Sequence, residues 1–96
     1  MATINNMLAR AGLEGMARRR EFREQLAREM SERWLGELVN CELGRKPDGP
    51  FWLLTIHHPT LGAQAVVVRL GNREPYSREA LEFIIDRVAR WAAQVP

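Results

Sequence analysis

The sequence predicts an α+β protein in the order α-α-β-β-α, with one β-hairpin packed against a long N-terminal helix and a C-terminal helix. Three observations predict it. Phe51–His58 and Ala63–Leu70 are runs of β-branched, aromatic and aliphatic residues separated by the turn residues Pro59-Thr60-Leu61-Gly62. Before them, apolar residues from Phe22 to Leu38 recur at steps of mostly three or four, which is one face of a helix. After them, Leu81, Ile84, Ile85, Val88, Trp91, Ala92 and Val95 repeat that spacing.

The elements follow in order. A short helix is expected over residues 3–11, with Thr3 as its N-cap. Gly12 and Gly15 frame a break. A long helix is expected over 16–42, with Met16, Phe22, Leu26, Met30, Trp34, Leu35, Leu38 and Val39 as its apolar residues. Its other face is charged in both signs. Arg20–Glu24, Glu24–Arg28, Arg28–Glu32, Glu29–Arg33 and Arg33–Glu37 sit four apart, each pair worth about 0.2–0.5 kcal/mol. Gly44 suits the C-terminal cap, and residues 45–50 (Arg-Lys-Pro-Asp-Gly-Pro) read as a loop. The hairpin spans 51–70. The last helix spans 77–94, capped by Ser77, with Glu79 in its first turn.

Side chains alternate across a strand, so the hairpin has two faces. One carries Trp52, Leu54, Ile56, Val66, Val68 and Leu70; the other carries Phe51, Leu53, Thr55, Ala65, Val67 and Arg69. The first is wholly apolar and the second mostly so. A two-stranded sheet is marginal alone. Helices are therefore expected to cover the first face, and another chain the second face or the strand edge. The alternative is that two helices of the same chain sandwich the hairpin.

Ninety-six residues suit one domain, 1–96. The net charge of +2 comes from 14 basic and 12 acidic groups, with no basic tail or acidic arm. That weighs against a nucleic-acid or membrane-surface role. Lys46 is the only lysine beside 13 arginines, and with 11 alanines this points to a GC-rich bacterial or phage gene. Cys41 is alone, so no intrachain disulfide forms. No run approaches a transmembrane length, and residues 1–8 lack a signal-peptide pattern. A cytoplasmic protein without membrane contact is expected.

The chemistry-bearing residues are few. His57 and His58 are adjacent on a strand and point to opposite faces, a poor start for a metal site. Cys41 reads as a small buried hydrophobe near a helix C-terminus, where the dipole disfavours a thiolate. No phosphate loop, nucleophile elbow or isolated carboxylate pair is present. No enzyme activity, cofactor or metal is expected. Trp34, Trp52 and Trp91 are expected to meet in one core, and any that stays exposed is the best interface anchor.

The reading that follows is a small non-enzymatic protein-binding module of inhibitor, adaptor or anti-activator type. It docks on a larger protein and forms a homodimer through the hairpin or the long helix. Its candidate partner-binding residues are Arg18, Arg19, Arg20, Arg23, Phe51, Leu53, Val67 and Arg69. The first four form the densest basic run, at what reads as a helix start, where positive charge opposes the macrodipole. The alternative is a winged-helix-like DNA-binding regulator, with the turn at Gly12–Gly15 and the Arg18–Arg23 stretch facing the groove. One continuous patch joining these arginines to Arg10 favours DNA. Interruption by Glu21 and Glu24 favours a protein partner.

Overall fold

A computed structural model describes residues 2–95, with side-chain surroundings given from residue 14 to 95. Helix α1 (Ala2–Glu32) leads into strands β1 (Glu37–Lys46), β2 (Gly49–His58) and β3 (Gly62–Arg69), and helix α2 (Arg78–Gln94) ends the chain. The sheet is antiparallel in the order β1-β2-β3. The α+β class and the hairpin β2–β3 between two helices are as the sequence predicts. The third strand, β1, is additional.

Two expected elements are corrected. The helices expected over 3–11 and 16–42 are one helix, unbroken at Gly12 and Gly15. Glycine inside a helix costs about 1 kcal/mol against alanine, and no proline reinforces the pair. Thr3 therefore lies within the helix; its side chain, like that of Arg10, falls outside the described residues. The helix also stops at Glu32 rather than 42, because Trp34 and Gly36 take positive φ (58° and 112°) and turn the chain into β1.

Residues 37–46 are therefore strand. Gly44 caps no helix; it pairs with Phe51, whose ring lies where a β-carbon on Gly44 would be. The supposed loop 45–50 shrinks to a turn at Pro47-Asp48, closed by Gly49 at φ 129°. Proline fixes φ at the first turn position and glycine takes the positive φ that follows. The expected ion-pair ladder along α1 is not formed among the described residues. Glu37 is no longer on a helix, and Glu29 turns to Arg78 of α2 instead (3.0 Å).

Both helices lie on one side of the sheet, α1 over β1 and α2 over β3, and they touch each other. The core rows are Leu43–Trp52–Val68 and Cys41–Leu54–Val66, followed by Leu38–Ile56. A bulge between Leu38 and Asn40 restores this phase after Val39. Phe22, Leu26 and Met30 of α1 meet Leu81, Ile84, Ile85 and Val88 of α2 in the same cluster. Trp52 is its centre. Its ring stacks on Phe22 (5.1 Å), meets Tyr76 edge-on (5.6 Å), and its Nε1–H donates to Pro75 O (3.0 Å). Ser77 caps α2 as expected, accepting from the Ala80 N–H.

The tryptophans do not meet. Trp52 is buried, Trp91 is half-buried against His58 (5.7 Å, edge-on), and Trp34 is 92% exposed. Residues 14–21 of α1 are all exposed, though Arg18 still reaches Glu74 and Tyr76. The radius of gyration is 15.4 Å, against about 12.5 Å for a compact chain of this length.

Candidate functional site

Because both helices take one side, the sheet's other side is open. Its rows are Gly44–Phe51–Arg69, Glu42–Leu53–Val67 and Asn40–Thr55–Ala65. Phe51, Leu53 and Val67 form its apolar middle. Val67 is 53% exposed, whereas Trp52, Leu54 and Ile56 on the opposite face of β2 are sealed. Four of the predicted partner-binding residues, Phe51, Leu53, Val67 and Arg69, thus share one surface, as strand parity requires.

Charge rims this surface. Lys46 Nζ lies 5.2 Å over the Phe51 ring. Lys46, Arg69 and Arg87 line a cleft of about 520 Å3 at the β3 margin. Glu42 and Asn40 hold the other margin, where Asn40 Nδ2 donates to Glu42 Oε1 (3.2 Å). An apolar centre with a charged rim is the usual make-up of a protein-docking surface.

The other four predicted residues lie elsewhere and do not act as one patch. Arg18 turns to the loop before α2, pairing with Glu74 (3.4 Å) and covering the Tyr76 ring (5.1 Å). Arg19, Arg20 and Arg23 instead line a cleft of about 420 Å3 between α1 and β1, with Met16, Asn40 and Glu42. Arg23 Nη2 donates to Val39 O at the bulge (2.6 Å). The arginines stand mid-helix, so the expected conflict with the helix dipole is absent. Whether Arg10 joins them falls outside the described residues.

Cys41 is buried at the floor of that cleft, in a strand rather than at a helix end. Burial raises its thiol pKa from 9.0 to about 11, and Arg23 and Arg19 pull it only partly back. His58 is used structurally. Its Nδ1 accepts from the Thr60 and Leu61 N–H groups (3.2 and 3.4 Å) and so ties the β2–β3 turn. No group of three metal-ligating side chains converges among the described residues, and no helix there is long and apolar enough to cross a membrane.

Sequence reasoning missed Asn40 and Glu42 on the open face, because residues 37–42 read as the end of the long helix. It also placed Trp34 in the core. Gly36, two residues later, was the available signal that the helix ends there. The chain matches no family model, no curated protein and no solved structure.

Proposed function

We propose that the chain is a small non-enzymatic protein-binding module, a homodimer that docks on a larger protein through the open face of its sheet, as an inhibitor, adaptor or anti-activator does. The observation that carries this is the apolar middle of the open face, where half-buried Phe51 and Leu53 flank the exposed Val67, on a sheet whose other face is already sealed by both helices. Antiparallel sheets with one wet face normally make that face polar. This one keeps an apolar middle, with Glu42 on the β1 edge, Arg69 on the β3 edge, and Lys46 at the end of β1 reaching over Phe51. A cytoplasmic setting belongs to the same reading and is supported by the single unpaired Cys41.

The test compares wild-type protein with Val67→Asp as immobilised bait. A protein retained by wild type and lost with Val67→Asp, at unchanged circular dichroism, is the expected result. Equal retention by both overturns the role of this face.

Phosphate contact is the second reading, favoured by Arg19, Arg20 and Arg23 sharing one cleft. Its winged-helix form loses its turn, since α1 is continuous. Anisotropy of a labelled random duplex, at low and physiological salt, decides it. Binding that weakens steeply with salt moves nucleic acid to first place.

A further inference from the structure

Trp34 sits where helices usually place glycine. The Leu35 N–H donates to Met30 O (2.9 Å) and the Trp34 N–H to Ser31 O (3.2 Å), which is a Schellman cap on α1. Its C′ residue takes the left-handed conformation, and here that residue is Trp34, at φ 58°. A bulky side chain is strained there. The indole gains nothing from the fold in return, being 92% exposed while its neighbour Leu35 is buried. A strained backbone and a bare indole at one residue are both accounted for if the ring is buried by something outside the chain.

The surroundings indicate what buries it. Trp34 stands on the rim of a cleft of about 640 Å3, walled in part by Ala27, Leu38 and Pro59. One patch therefore carries both a projecting indole and an apolar recess. A two-fold axis beside such a patch sets each indole into the other copy's recess, the self-complementary arrangement of a symmetric dimer. Charge agrees with that axis. Arg33 precedes Trp34, Glu37 borders the recess, and neither forms an ion pair among the described residues. The two-fold carries each copy's Arg33 toward the other's Glu37.

We propose that two copies of this chain pair about a two-fold axis at Trp34, each indole seated in the cleft that Ala27, Leu38 and Pro59 line on the other copy. The proposal rests on the homodimer part of the function above and names its surface. It leaves the open sheet face free for a larger partner, because Phe51 and Arg69 lie at the opposite end of β2 and β3 from the Pro59 turn. A tryptophan buries about 150–250 Å2, while a standard interface takes about 800 Å2 from each partner. The dimer is therefore weak and exchanging, with micromolar or weaker affinity.

Sedimentation velocity across a micromolar-to-millimolar series, with tryptophan emission read on the same samples, tests it. Wild type shifts from monomer to dimer as concentration rises, and its emission moves to the blue. Trp34→Gly stays monomeric throughout, with unchanged helix content and a melting temperature no lower than wild type, since glycine accepts φ 58° without strain. Arg33→Glu weakens the dimer, and Arg33→Glu with Glu37→Arg restores it. A dimer that survives Trp34→Gly but dissociates in Val67→Asp overturns the Trp34 surface alone and moves the contact to the sheet. A wild type that stays monomeric throughout overturns both the surface and the homodimer.

Discussion

At Cys41 the residue scale is simplest, because burial and two arginines act on one thiol in opposite senses and burial wins. With the pKa raised from 9.0 to about 11, the thiolate at neutral pH is about 100-fold scarcer than in an unfolded chain. Alkylation by iodoacetamide is expected to be slower by at least that factor in native protein and to recover in guanidinium. Native labelling at the unfolded rate would contradict the burial. The pH dependence has a definite sign. Below pH 9 the thiol is protonated in both states and its contribution to stability is complete. Between pH 9 and 11 the unfolded chain loses the proton first, so this contribution falls, and Cys41→Ala removes the fall. The buried small hydrophobe was legible in the sequence, but not for the right reason, since Cys41 faces the core from a strand and not from a helix end. Trp34 was illegible for a different reason. It continues a four-residue series from Phe22 through Leu26 and Met30, and periodicity does not reveal a left-handed φ.

At the scale of elements, the same series explains the misplaced end of α1. Leu38 extends the spacing once more, so the apolar pattern runs on where the backbone has already turned at Trp34 and Gly36. The bulge after Leu38 then hides the strand, because alternation resumes only at Cys41 and Leu43. The opposite error lies at Gly12 and Gly15, whose spacing suggests a break although a helix absorbs them. Gly15 offers a direct check. A β-carbon built on it meets nothing within 4 Å, so Gly15→Ala is expected to raise helix content and stabilise by about 0.4–1 kcal/mol. If residues 12–15 formed a turn instead, the substitution would be neutral or harmful. Thermal melts followed at the helix dichroism band read the difference. The C-terminal helix shows the converse case. Its stripe, its Ser77 cap and its buried face were all legible because each signal pointed the same way.

At the scale of the whole molecule, strand parity made the division of the sheet into two faces readable before any coordinates. It also indicated which face the helices would seal. Trp52→Ala is expected to cost about 3–5 kcal/mol, because it removes the ring that stacks on Phe22, meets Tyr76 and reaches Pro75 O. Leu53→Asp, one residue away and on the open face, should keep the chain folded. Urea denaturation distinguishes them, and equal losses at both positions would mean that the two faces are not separately used. Long-range pairing was the part beyond sequence reasoning. Nothing local shows that Arg18 leaves its neighbours for Glu74 and Tyr76, or that α1 and α2 share one side. The central place of β2 has a consequence for how the chain is made. Phe51–Ile56 is mostly apolar and free of Asp, Glu, Lys, Arg and proline, the composition of a fibril-forming segment. Once folded, both its backbone edges are taken by β1 and β3. During synthesis β1 emerges first and β3 last, so one edge stays bare while β3 is still being translated, for about a second at roughly 5–20 residues per second. Because β1 is already available in that interval, β2 is left with one bare edge instead of two until β3 follows, and a shortened chain lacking β1 is expected to aggregate more readily during synthesis.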